Sequence, residues 1–492
     1  MRMTRVCSAI TALAVLFLFL ATVARAQGQS AGAPSNDDPK VLLQRAKDVM
    51  RFGNVAPDRV LHYHAGAAAE MNFQSDRSYP PFFSAMETQE AWLDLQTGEE
   101  QVSTQTTWPG QGPSPAQSTV TDASRAFALQ DKNLNRLPET SMQERYLNPW
   151  TAIHDWLAAG NVRVVGRERY RDYERIVLVR STPAGEQRLF LDPKSGFPVK
   201  LDFEEKHYLW GQRHVEYVYT TWLLTGGVMI SGANFRLADG ATEVSQTVGD
   251  LDTVDRAAAA MPVLPADSGE KAEAWPKYLQ PIDPQVTQIG PKTYLLKNPG
   301  YQEAVTLVGD QVFLFDATQG DERSRKDAAI IDRLFPEHKK VTVVVSDLAW
   351  PHIAGLRYWV ANGATIVAHQ GAREFLQSVV DRRWTLAPDV LERRRANAKM
   401  NFVGVDAAFT LAPGITLHPI DGIGSEIALI SYLEPDRFLW ASDFIQTVAE
   451  PTSYGWEVWR AAQRDGLHPE RTAAEHLPLT PWSRIEELAA KQ

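Results

Sequence analysis

Ser346–His369 reads SDLAWPHIAGLRYWVANGATIVAH. It follows KKVTVVV (Lys339–Val345) and closes on ATIVAH (Ala364–His369), two β-branched apolar runs that predict buried strands. Between them AGLRYWVANG (Ala354–Gly363) places apolar residues at helical spacing before a Gly stop. Strand, loop, helix and strand in that order make an α/β unit. The loop has the rhythm of a metal-binding turn, yet offers only Asp347 and His352 as metal donors.

Upstream, TYLLKN (Thr293–Asn298), EAVTLVGD (Glu303–Asp310) and QVFLFDAT (Gln311–Thr318) predict strands, and RSRKDAAIIDRLFP (Arg323–Pro336) predicts a helix. Further toward the N-terminus the pattern changes. From about Arg59 to Asp252, period-2 alternation dominates, as in YERIVLVRS, EQRLFLD and HVEYVYTTWLL, and DPKSGFP (Asp192–Pro198) marks a hairpin. A helical insert covers roughly Met142 to Ala159. The expected organisation is a flexible lead-in at 27–39, a mainly antiparallel β domain at 40–254, a Pro- and Ala-rich connector at 255–284 and a second domain at 285–492. The first domain, a curved sheet with helices laid across it, loosely resembles the half-barrel domains of envelope lipoprotein carriers.

The second domain resembles the metallo-β-lactamase fold, an αββα sandwich. The resemblance rests on the Ser346–His369 stretch, on GITLHPIDGIGSEIALISYLEPDRFLWASDF (Gly414–Phe444) and on AAEHLPLTPWSRIEELA (Ala473–Ala489). Asp316 also falls where the family often places an Asp. The fold class expected for the chain is therefore α+β, a half-barrel-like β domain followed by an αββα sandwich.

The family binds two metals through His-x-His-x-Asp-His, a later His, a bridging Asp and a final His. Laid on this chain, the loop positions become Asp347, Ala349, Pro351 and His352. The later His falls near Gly424, the bridging Asp at Asp443 and the final His at His476. The resemblance thus leaves the first metal only Asp347, and the second His352, Asp443 and His476. Two imidazoles and a carboxylate suit one zinc or iron ion with open positions, so the expected cofactor is one such ion or none. The Asp that orients the attacking water is lost at Pro351. Each candidate also has an ordinary reading: His352 as a buried histidine at a seam, Asp443 as a turn cap and His476 as a surface histidine.

Among other candidates, His62 and His64 share one face of a predicted strand without an assignable partner, and read as ordinary strand residues. His369, His418 and Asp421 flank the same region. No nucleophile elbow, P-loop or dinucleotide fingerprint stands in a strand-to-helix setting.

The formal charge of -10 excludes the usual basic surplus of a nucleic-acid binder. Arg2 and Arg5 precede an apolar run from Val6 to Val23 and the small-x-small Ala24-Arg25-Ala26, the order of a secretory signal peptide over 1–26. Uncleaved, the same run would be the membrane contact. The single cysteine, Cys7, lies inside it, so a processed chain would have no thiolate ligand or nucleophile. The expected location is periplasmic or secreted. Two functions stand open: a hydrolase-fold enzyme with at most one metal and weak or altered activity, or a non-catalytic protein binding a small molecule or envelope ligand. A third, enzymatic reading recruits Asp347, Asp421 or His418 as replacement ligands.

Overall fold

The computed structural model describes residues 38–72, 80, 82–109, 112–182, 185–266, 282–298, 300–420 and 427–491. The expected signal peptide, nearly all of the lead-in, much of the connector, and the DGIGSE positions 421–426 with Asp421 and Gly424 lie outside them. No helix among the described residues is long and apolar enough to cross a membrane.

The first half of the chain builds one 13-stranded sheet. Consecutive strands are neighbours in space except Asn133–Arg136 and Val162–Tyr170, which form the two opposite edges, while Arg59–Glu70 pairs antiparallel with the distant Ala241–Asp255 and so joins the two arms. One face is covered by two helices, Pro39–Val49 and Pro149–Ala158. Both begin on a local signal: Asp38 and Asn148 accept the backbone N–H of Lys40 and Trp150, and Pro follows each cap. Leu43 and Ala46 of the first helix with Met50 at its C-cap, and Trp150, Ile153 and Trp156 of the second, share one core with the strand residues Leu61, Tyr63, Leu178, Leu201 and Tyr217.

The second half has four layers. A seven-stranded sheet runs from Gln285–Gln288 to Asn401–Val405, opening as an antiparallel meander and ending in three parallel pairings. A six-stranded sheet runs from Phe409–Ala412 to Thr480–Pro481. Phe313, Phe315 and Val344 of the first sheet meet Leu417, Leu429, Phe438 and Trp440 of the second in a common core. On the outer side of the first sheet, Asp321–Leu334, Leu356–Ala361 and Arg373–Asp381 pack through Ile331, Leu356, Trp359 and Leu376. On the outer side of the second, Ser453–Arg464 and Trp482–Ala489 pack through Val458, Ala462, Trp482 and Ile485. The alternation of strands and helices predicted an α/β unit here; the helix, sheet, sheet, helix layering itself was expected from the resemblance.

The halves meet through a plug. Strands Pro198–His207 and Gly211–Thr225 form a hairpin whose tip, His207-Tyr208-Leu209-Trp210, enters the second half. Leu209 is buried in the same core as Leu348, Trp350 and Ile353. Tyr208 lies against Trp350 at 4.3 Å between ring centroids, and Trp210 meets Phe375 edge-on. Arg382 donates to the carbonyls of Trp210 and Gln212 and pairs with Asp239. The tip turns at Gly211, with φ of 68°, and a Cβ there would sit 2.1 Å from Trp384 Cδ1, so only glycine fits.

His207 holds this tip by accepting the N–H groups of Leu209 and Trp210 at Nδ1, 3.2 and 3.1 Å away. Burial, and then the Arg213, Arg236 and Arg382 guanidiniums, push its pKa well below 6.5. A depressed folded value means the stabilisation is present above 6.5 and is lost as pH falls from there through the folded value. The expected result is an acid-sensitive thermal midpoint. His207→Asn, whose amide oxygen still accepts, should remove that component of the pH profile.

Candidate functional site

The candidate residues come together where strands of both inner sheets end. Asp316 follows Gln311–Phe315, Asp347 follows Lys340–Val345, Ser442 and Asp443 follow Phe438–Trp440, and Glu475 and His476 follow Arg471–Ala473. Asp316 locks the two sheets: its Oδ1 accepts from Ser346 N and its Oδ2 from Trp440 Nε1, both at 2.8 Å. Asp316 and Ser442 carry φ of 70° and 47°, left-handed backbone that non-glycine residues adopt at a cost of about 1–3 kcal/mol each. Such strain concentrates at sites whose surroundings over-determine the geometry.

Gly355 lets the His352 segment reach its place. A Cβ on it would lie 2.1 Å from Ser324 Oγ and 2.9 Å from the Ala317 carbonyl, and the Gly355 N–H donates to that carbonyl. The Ala317 N–H in turn donates to the His352 carbonyl.

His352 is fully buried between two buried carboxylates. Its Nδ1 meets Asp347 Oδ1 at 2.5 Å, and its Nε2 lies 2.7 Å from Glu475 Oε2. Asp347 Oδ1 also accepts from Ala349 N, which fixes the carboxylate. The second contact is an ion pair by proximity: Nε2 and both Glu475 oxygens lack an aligned hydrogen bond. Burial lowers the His352 pKa, but Asp347 and Glu475 outweigh it and hold the imidazolium well above 6.5. Burial pushes Glu475 well above the usual carboxylate range, with the His352 charge opposing. Asp316, also fully buried, is pushed up to about 6.

The sequence-derived candidates divide at this point. His352 Nε2 lies 4.0 Å from Asp443 Oδ2, and Asp443 Oδ1 lies 3.3 Å from His476 Nε2. The contacts run as a chain from the buried His352 to the half-exposed His476, whose Nδ1 faces the Gly300 carbonyl at 2.6 Å. Among the described residues, sets of three donors whose ligand atoms lie within 4.8 Å of one another occur twice, and neither set includes these residues. Asp347 is turned to His352 rather than to an open centre. His418 is taken up by Asp465 and Thr416, and His369 accepts from Gly371 N.

Glu475 escaped the sequence reading because the family pattern draws attention to His476. Its signal is an acid inside the apolar run TAAEHLP (Thr472–Pro478), where a strand end should bury its side chains.

A metal pair does not fit this centre, since Ala349 brings no donor and Asp347 is committed to His352. A single ion on the His352, Asp443 and His476 set would need those atoms to surround one point at about 2 Å each, which the chain of contacts does not do.

No family model matches the chain, and no curated protein matches it. Solved structures that resemble it, at low identity and partial coverage, include metallo-β-lactamases and a LolA superfamily protein. The DIM-1 metallo-β-lactamase has 10% identity and a TM-score of 0.33, covering 42% of this chain and 96% of its own. FIM-1 from Pseudomonas aeruginosa, in a mono-zinc form, has 11% identity and a TM-score of 0.33, covering 44% and 96%. A LolA superfamily protein from Nitrosomonas europaea has 11% identity and a TM-score of 0.32, covering 44% and 93%.

Proposed function

We propose that this chain is an exported binding or assembly protein of the cell envelope, in which a metallo-β-lactamase-type sandwich over 285–492 serves as a scaffold. One observation carries the reading: His352, the last histidine left in the loop, has both ring nitrogens against buried carboxylates. A group so enclosed neither faces substrate nor presents a lone pair to a metal. Only Asp443 and His476 reach solvent, with side chains 19% and 32% exposed. The β domain at 40–254, wedged into the scaffold by its hairpin tip, then becomes the part that meets a small molecule or envelope ligand.

The single-metal reading, with weak or altered hydrolase activity, keeps one support of its own. Nε2 of His352 and both Glu475 oxygens are buried without an aligned hydrogen bond, and a carboxylate behind the far nitrogen is how metal-bound histidines are commonly oriented. The two readings separate on Asp443→Ala and His476→Ala. A scaffold keeps its cellular function, and its unfolding free energy within about 0.5–1 kcal/mol, in both variants. Metal-dependent turnover of an ester, thioester or lactam that vanishes in either one would establish the enzyme instead.

A further inference from the structure

The strand Arg59–Glu70 buries Leu61, Tyr63 and Ala65 and turns His62 and His64 to the opposite face. The antiparallel register sets His64 across from Glu90 and His62 across from Trp92. Glu90 Oε1 lies 2.9 Å from His62 Nε2 and 3.8 Å from His64 Nε2. The Trp92 ring stacks on His62 at 5.1 Å and fixes its plane. The three ligand atoms lie within 4.8 Å of one another, unlike those of the central chain. Donors bound to one zinc at about 2.0–2.1 Å stand roughly 3.3 Å apart in a tetrahedron, and the two observed spacings bracket that value.

The other such set shows what a filled cluster looks like. Asp202, His214 and Glu216 also converge, but Lys200 Nζ already sits 2.6 Å from both Asp202 and Glu216. Its cation is covalent. Around His62, His64 and Glu90 no lysine or arginine ion pair is found among the described residues. The site is open to solvent, with side chains 23%, 55% and 43% exposed, so an ion can enter and keep water.

We infer that His62, His64 and Glu90 form a surface site for one borderline divalent cation of the zinc class. Two imidazoles select such an ion over magnesium or calcium, which want oxygen ligands. The carboxylate offsets part of its charge, and the remaining position is left to water or to a donor from a partner. The assignment is independent of the scaffold reading of the second half.

Zinc alone, added to the full chain at neutral pH in competition with a chromogenic chelator, tests it. The expected result is one equivalent bound. His62→Ala and His64→Ala should each weaken binding more than about tenfold, since even outer-shell partners of a ligand cost that much. His476→Ala should bind as the wild type does. The histidine positions face solvent, so an unchanged thermal midpoint separates lost ligation from lost folding. Undiminished zinc binding in the His62→Ala/His64→Ala double variant would overturn the inference. So would binding that survives there and disappears in His476→Ala, which would return the metal to the centre.

Discussion

His352→Ala should destabilise the second half of the chain by about 3–5 kcal/mol, the cost of removing one partner from a buried ion pair. Asp347 and Glu475 would then be left facing each other across a cavity with no cation between them. The loss should fall mostly on charge rather than on shape. Adding Asp347→Asn and Glu475→Gln to His352→Ala should therefore recover a good part of it, giving a coupling of about 1–3 kcal/mol in a cycle of urea unfolding curves. Strictly additive losses would mean that the three groups are neighbours without being a unit.

Arg145→Ala should cost a similar amount, about 3–5 kcal/mol, but in the other half. Arg145 is fully buried and makes a two-pronged pair with Asp155, 2.9 and 2.8 Å, with a third bond to Thr121 Oγ1. It ties the 3-10 segment Glu139–Leu147 to the helix Pro149–Ala158 and to the sheet they cover. Without it Asp155 stays buried with, among the described residues, only His154 Nδ1 beside it, 3.5 Å away, and the nearby Glu100, already pushed up by burial, loses the charge that opposes this shift. A biphasic melt in which only one of the two transitions moves would locate the effect. Arg145→Lys should recover less than half, since an ammonium cannot reproduce the planar fork.

The layers were legible because they depend on periodicity. Period-2 alternation from Arg59 onward and strand–helix alternation beyond Val286 are properties of short windows. They mark an antiparallel β region and a second, α/β-type region without any knowledge of contacts; the sandwich itself came from the resemblance. His352 was singled out by the family pattern laid on its loop. What that pattern could not give was orientation. Glu475 and His476 are adjacent on one turn, and the backbone sends the acid inward to His352 and the imidazole outward to the Gly300 carbonyl. Asp347 stood in a ligand position, but its partner is set by a loop that folds back five residues.

Glu90 was hidden for a different reason. A cross-strand partner depends on register, and a shift of one residue would turn it to the other face. The hairpin tip offered a readable clue, since Tyr208, Leu209 and Trp210 occupy a turn where polar residues are usual. An apolar turn is one that expects to be covered.

The sharpest question is whether the centre around His352 holds a metal. Elemental analysis of the full chain carrying His62→Ala and His64→Ala, purified without chelator and dialysed against zinc, answers it without interference from the surface site. A scaffold closed by its own imidazole and carboxylates retains no stoichiometric metal. One or two equivalents of tightly held zinc or iron, lost in His352→Ala or His476→Ala, would contradict it.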